Sequence, residues 1–243
     1  MIATAPVIAL WVAVFLGGFI SGVAGFAFSA VAGAIILHFY PPTFAVPLMM
    51  ASALTAQLYS LVKLRNSMEW RQSTSLIIGG LMGIPLGLHA LRSVDAHSFR
   101  IGFGVFLSMY AAYMLFWPST VTFKDIGGTI TNTAIGFASG VVGGLTAFPG
   151  ALPTMWCDLR GLPKDTKRGV TQPFIATMQF VGFVLVLLHG DLLSTDLFSK
   201  LAWSMPALMV GTVLGLVTFG RVNDLMFRRI VLLLLLVSGF ALI

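Results

Sequence analysis

Apolar residues fall into ten runs along the chain, at roughly 5–20, 26–39, 44–62, 73–91, 99–117, 129–143, 147–158, 169–189, 196–219 and 226–243, separated by short clusters of Gly, Pro, charged and amide residues. A helix needs about 20 apolar residues to cross the hydrocarbon core of a bilayer. The second and seventh runs hold only about 12 to 14, too few for a full span. Each pairs with the run before it, either as two spans or as one re-entrant or broken hairpin.

The stretch joining each pair occurs twice, as Gly18 to Gly25 (GFISGVAG) and Gly136 to Gly143 (GFASGVVG). Gly18/Gly136, Phe19/Phe137, Ser21/Ser139, Gly22/Gly140, Val23/Val141 and Gly25/Gly143 are identical pairs. A second repeated region pairs Gly83/Gly211, Leu86/Leu214, Gly87/Gly215, Leu88/Leu216, Val94/Val222, Phe99/Phe227 and Arg100/Arg228. The two registers differ by loop insertions, for which the Arg160–Lys167 and Gly190–Asp196 connections are the natural places. The pattern predicts an all-α membrane protein of two repeats, 1–120 and 121–243, each with a broken or re-entrant first pair and three spans. Five runs per repeat is odd, so the repeats are inverted, an arrangement common among secondary transporters.

Composition agrees: 58% of residues are hydrophobic, 9% are charged and there are 26 glycines, which excludes a water-soluble domain. The net charge of +6 is spread singly between apolar runs, the pattern of membrane orientation and not of a nucleic-acid surface. The connections around Lys63, Arg65, Glu69 and Arg71, and around Asp158, Arg160, Lys164, Asp165, Lys167 and Arg168, are positive. Their counterparts, with Asp191, Asp196 and Lys200 or with His38 to Pro42, are negative or uncharged. Positive loops, with Arg221, Arg228 and Arg229, are cytoplasmic, which puts both termini outside. Arg92 and Arg100, with only Asp95 beside them, run against this count. The single Cys157 excludes an intrachain disulfide or a Cys-based metal cluster. The histidines His38, His89, His97 and His189 show no metal-site spacing, and no cofactor is expected. Trp11, Trp70, Trp117, Trp156 and Trp203 sit mostly near run ends, as interface anchors do.

The repeated Gly/Ser stretch, the proline-ended turns Tyr40-Pro41-Pro42 and Gly161-Leu162-Pro163, and the second-half run from Gly140 to Pro149 and Gly150, followed by Lys164-Asp165 and Arg168-Gly169, resemble the TauE/SafE sulfite exporter family. The resemblance covers nearly the whole chain, and its second-half copy is the more specific. The first half departs from the pattern, with Gly25-Phe26-Ala27-Phe28-Ser29 where a glycine triplet and a proline are favoured; Phe26 and Phe28 are expected to narrow that side of the site. The resemblance implies transport, without ATP hydrolysis, of sulfite, an organosulfonate or a related small sulfur oxyanion across the inner (cytoplasmic) membrane.

The residues point the same way on physical grounds. Glycine tolerates irregular backbone and close approach, so Ser21 to Gly25, including Gly22, and Ser139 to Gly144, including Gly140 and Gly143, are expected to be helix breaks near the midplane. Short helices beginning near Phe26 and Thr146 then aim N–H groups at an anion. Ser21, Ser139 and Thr146 add hydroxyl donors, and Pro149 closes the second tip. The competing use of these glycines is close helix packing, the use expected for Gly83, Gly87, Gly211 and Gly215. Polar residues inside the third and eighth runs, Ser52, Thr55 and Gln57 in one and Thr171, Gln172, Thr177 and Gln179 in the other, are expected to line the cavity. Asp158 and Arg168 flank the second-half turn as candidates for gating or coupling. An intramembrane enzyme is disfavoured, because the rhomboid serine spacing, paired intramembrane aspartates and HExxH are all missing; a passive anion channel stays open as the alternative to a carrier. Lipid and a small sulfur anion are the expected partners, with a homodimer allowed.

Overall fold

The computed structural model describes residues 4–64, 68–116, 128–190, 194–219 and 224–242. Arg65, Trp117, Asp191, Arg221 and Val222 lie outside the described residues, and the side chains of Lys63, Lys164, Phe227, Arg228 and Arg229 outside the described side chains. Ten helices, and no strand among the described residues, follow one another: α1 (Thr4–Ala24), α2 (Phe28–Phe39), α3 (Pro42–Leu64), α4 (Trp70–Ser93), α5 (Ala96–Phe116), α6 (Thr129–Thr146), α7 (Ala151–Leu159), α8 (Lys164–His189), α9 (Thr195–Phe219) and α10 (Asp224–Leu242). Among the described residues, the stretches Ala5–Ala24, Trp70–Ser93, Ala96–Phe116, Asp165–His189 and Thr195–Thr218 are long and apolar enough to cross a membrane. The chain is a multi-pass, all-α membrane protein. The short runs appear as α2, with 12 residues, and α7, with 9. At 1.5 Å per residue these measure about 18 and 13 Å, well short of a bilayer core.

Glycines decide which helices touch. A Cβ on Gly79, Gly83 or Gly87 of α4 would fall 1.9–2.2 Å from Thr133 O, Phe137 O and Val141 O of α6, and one on Gly136, Gly140 or Gly144 would fall 2.0–2.4 Å from Leu76 O, Gly80 O and Ile84 O. Three glycines at four-residue intervals on each helix make two flat faces, and the backbones meet directly. The contacts rise together in residue number, so α4 and α6 run the same way. The same contacts recur between α1 and α9: Gly18 and Gly22 face Leu208 O and Thr212 O, while Gly211 and Gly215 face Phe15 O and Phe19 O. These two helices also run in one direction. Gly83, Gly87, Gly211 and Gly215 are packing glycines, as their spacing suggested.

The remaining helices fill in around these pairs. α2 folds back on α1, with Phe28 and Ala32 over Gly17, and α3 folds back on α2, with Met49 over Gly33. α8 lies against α3 and α4, where Gly182 meets Met50 and Ile84 and Gly80 meets Phe174 and Met178. Proline inside α8 shapes one further contact. Pro173 has no N–H to give Gly169 O, four residues back; that carbonyl accepts the Glu69 N–H instead, at 3.0 Å. Ser73 Oγ donates to the adjacent Val170 O at 2.7 Å, tying the start of α4 to α8. Near the start of α9, Lys200 pairs with Asp196 and stands over the stacked rings of Tyr40 and Phe44. Asp95 caps α5 by accepting the N–H groups of Ser98, the larger influence, and His97, which hold its exposed carboxyl below the usual carboxylate range.

Candidate functional site

α1 stops where Gly25 takes φ +88°, a left-handed conformation that suits glycine and strains other residues. Its N–H still closes on Ser21 O at 2.7 Å, and Phe26 and Ala27 lead into α2. A helix that ends inside a packed bundle leaves carbonyls without intrahelical donors and without bulk water to replace them. Side chains from two other helices serve these carbonyls. Gln57 of α3 and Gln172 of α8 both donate through Nε2 to Gly25 O, at 3.1 and 3.0 Å. Arg168, one turn before Gln172, donates through Nη2 to Gly22 O at 2.9 Å.

The second interruption is built alike. α6 stops at Ala147, whose φ of +57° makes it the one non-glycine residue with positive φ among the described residues. That conformation costs an L-residue roughly 1–2 kcal/mol, and hydrogen bonds hold it in place. The Ala147 N–H donates to Gly143 O at 2.8 Å and the Phe148 N–H to Thr146 Oγ1 at 3.3 Å. Ala147 O accepts Ser29 Oγ at 2.5 Å and Gln179 Nε2 at 2.8 Å. Gln57 and Gln179 each serve a carbonyl 32 residues before themselves. Gln172 and Ser29 supply the other donor to each carbonyl from the opposite half of the sequence. Gln172 and Gln179 sit on either side of the middle of α8, about 10 Å apart along it.

Between the two interruptions lies an aromatic cluster. Phe26 and Phe148, each directly after a positive-φ residue, stack with centroids 6.2 Å apart and planes 12° from parallel. Tyr110 of α5 meets both rings edge-on, at 6.3 and 5.9 Å, and Phe106 meets Phe148 at 6.4 Å. Phe148 and Tyr110 are buried. The rings stand between the breaks and form a largely apolar layer in which Tyr110 carries the one hydroxyl among the rings named.

The first interruption begins at Gly25, the last residue of the expected Ser21 to Gly25 break, and the second begins at Ala147, beyond the end of the expected Ser139 to Gly144 break. The helices run unbroken through Ser21, Gly22, Ser139, Gly140, Gly143, Gly144 and Thr146, and the chain departs from helix at 25–27 and 147–150. Gly22, Gly140 and Gly144 lie on the backbone-to-backbone faces against α9 and α4, where helical backbone is an advantage. Gly143 has a different neighbour: a Cβ there would lie 2.7 Å from Pro149 Cβ, so the second break folds over it. Ser139 and Thr146 donate to Ile135 O and Val142 O on their own helix, and Ser21 contributes its carbonyl to Gly25. Thr171 is buried on α8; Ser52 Oγ, Gln57 Oε1 and Gln172 Oε1 are buried with no hydrogen-bond partner among the described residues. Of the residues expected at the site, Gly25, Gln57, Gln172 and Arg168 converge on the first break and Gln179 joins the second. Asp158 bonds Lys167 at 2.6 Å, outside this group. Phe28 packs against Gly17 in the α1–α2 hairpin, so only Phe26 stands between the breaks.

Ser29, Phe106, Tyr110 and Phe148 escaped the sequence reading. A signal for Phe148 was present: shifting the α1/α6 register by one helical turn pairs Gly18 with Gly140, Gly22 with Gly144, Phe26 with Phe148 and Gln57 with Gln179.

A multi-pass bundle of apolar helices, in which two buried helix ends are served by side chains from neighbouring helices, is built as membrane transporters are. The chain belongs to the sulfite exporter TauE/SafE family, which it matches over residues 10–242. No curated protein and no solved structure matches it. The family is one of membrane transporters, and it implies a small sulfur anion as the substrate.

Proposed function

We propose that this protein is a secondary carrier that exports sulfite or an organosulfonate across the cytoplasmic membrane, by alternating access at the two helix breaks. In this reading 1–120 and 121–243 are inverted halves that form one integral membrane domain, and both termini lie outside. The observation that carries it is the matched construction of the breaks, where each terminal carbonyl takes one donor from each half and the next residues stack ring on ring. The parallel packing of α1 with α9 and of α4 with α6, through matching glycines, supports the inversion. The breaks carry amides and carbonyls, the layer between them is aromatic, and a carrier needs such a barrier to open toward one side at a time.

Uptake of labelled sulfite into proteoliposomes, with counterflow as the second readout, tests this. A carrier accelerates labelled uptake when unlabelled sulfite is loaded on the far side. Uptake without that acceleration would make the protein a channel, and no uptake of any sulfur anion would remove the substrate class.

The aromatic layer gives a separate expectation. The double substitution Phe26→Ala with Phe148→Ala removes both stacked rings and is expected to raise uncoupled anion leak several-fold while abolishing counterflow. Loss of the buried Phe148 ring and the partly buried Phe26 ring costs about 3–5 kcal/mol each at most, so the comparison is made on protein that remains monodisperse in detergent. Tight, fully coupled transport by that variant would mean that the barrier lies elsewhere.

A further inference from the structure

In the register that pairs Phe26 with Phe148, Gly25 stands opposite Ala147 and Gln57 opposite Gln179. The carbonyls at the two breaks therefore correspond, and so do the amides that reach them from the same half of the sequence. The donors from the opposite half do not correspond. Ser29 stands where the second half has Ala151, and Gln172 where the first half has Met50, and neither Ala151 nor Met50 has a side-chain donor. All four side chains are buried. The two crossing bonds are thus not copies of one repeated bond, although they end on equivalent carbonyls.

Neither crossing donor is needed to satisfy its acceptor. Gly25 O keeps Gln57, and Ala147 O keeps Gln179, when the crossing donor is removed, and one donor satisfies a buried carbonyl. What Ser29 adds is a connection. It lies in the first turn of α2, so the segment that leaves the first break reaches the carbonyl of the second. α2 otherwise packs mainly on α1, α3, α5 and α10, whereas α6 packs mainly on α4, α7 and α8. Phe26, on the same segment as Ser29, stacks on Phe148, the residue after Ala147. One short segment thereby holds the second break twice, by a directional hydrogen bond and by a ring stack.

We propose that Ser29 is a positioning residue of the carrier: its bond to Ala147 O makes the two breaks change conformation together, so that neither opens by itself. Its part in transport rests on the carrier reading above. Such coupling is reciprocal, and a disturbance at one break is felt at the other.

Hydrogen–deuterium exchange, read peptide by peptide on purified, monodisperse protein, tests the coupling without reference to transport. Gln57→Leu disturbs the first break and leaves Gly25 O its bond from Gln172. With Ser29 in place, that substitution is expected to speed exchange of the amides in 146–150 by about 3-fold or more, within the range of one lost hydrogen bond. In the Ser29→Ala background the same substitution should change them by less than about 1.5-fold, because the connection is already gone. If Ser29→Ala fails to fold, Ser29→Cys, a weaker donor of similar size, takes its place and should roughly halve the transmitted effect. An effect of Gln57→Leu on 146–150 that is absent with Ser29 in place, or equal in both backgrounds, overturns the coupling and leaves the carrier reading standing. In proteoliposomes Ser29→Ala is expected to lower the maximal rate of sulfite counterflow about 3- to 10-fold, with KM within about 2-fold of wild type. An unchanged maximal rate overturns the role in transport. Transmitted exchange in a wild type that moves no sulfur anion supports the coupling and defeats the carrier reading instead.

Discussion

Replacing Gly83 by alanine is expected to cost about 3 kcal/mol or more of stability, at the upper end of overpacking effects, and replacing it by leucine to leave no folded protein. The added Cβ would lie 2.2 Å from Phe137 O and 2.8 Å from Val141 N, both backbone atoms of α6. Backbone cannot swing aside as a side-chain tip can, so the helices must separate along their length. Separation undoes more than one contact, because Gly79, Gly87, Gly136, Gly140 and Gly144 share the same seam. In a membrane no hydrophobic force restores the pair; the contacts themselves hold it. Gly102 on α5 is the control, since a Cβ there meets nothing within 4 Å. Thermal unfolding in detergent and the monodisperse yield should show Gly83→Ala well below wild type and Gly102→Ala level with it. Equal melting of the two variants would contradict the close seam.

The second large effect is expected at the two breaks, with opposite signs at their positive-φ residues. Gly25→Ala puts a side chain on a residue with φ +88° and brings its Cβ to 2.8 Å from Gln172 Nε2. The conformational strain is roughly 1–2 kcal/mol, and displacing the Gln172 amide from Gly25 O removes a further 1 kcal/mol or so. A loss of about 2–3 kcal/mol is the expected result. Ala147→Gly should behave in the reverse way. Ala147 already carries the positive-φ strain, so glycine relieves it, and stability should hold or rise by up to about 1 kcal/mol. Melting curves of the two variants side by side check the pair. A Gly25→Ala protein as stable as wild type would mean that the break does not need the left-handed turn.

Several features were legible without coordinates because they depend on composition and local period. Runs of apolar length gave the helices, and the runs near 26–39 and 147–158 were short enough to be recognised as non-spanning, which matches α2 and α7. Intramembrane amides such as Gln57, Gln172 and Gln179 stood out because an amide in lipid needs a partner; all three donate to carbonyls at the breaks. Family membership followed from the proline-ended turns and the second-half glycine run, which are local motifs.

Glycine itself was the ambiguous residue. A glycine permits a kinked backbone and equally permits a neighbouring helix to come close, and which use is made depends on what lies opposite. At Gly22, Gly140 and Gly144 a partner helix lies opposite, so the chain stays helical; at Gly25 the Arg168 and Gln172 side chains of α8 do, and the chain turns. The sequence alone determined a ten-helix membrane protein with two interrupted helices, repeated glycine faces and buried amides, because each of these is written in nearest neighbours and in period. Only the tertiary structure decided where the interruptions fall, that Phe26 stacks on Phe148, that Ser29 reaches Ala147 across the molecule, and that Arg168 rests at the end of α1. Those contacts join residues more than a hundred positions apart, and they are fixed by which glycine face meets which backbone.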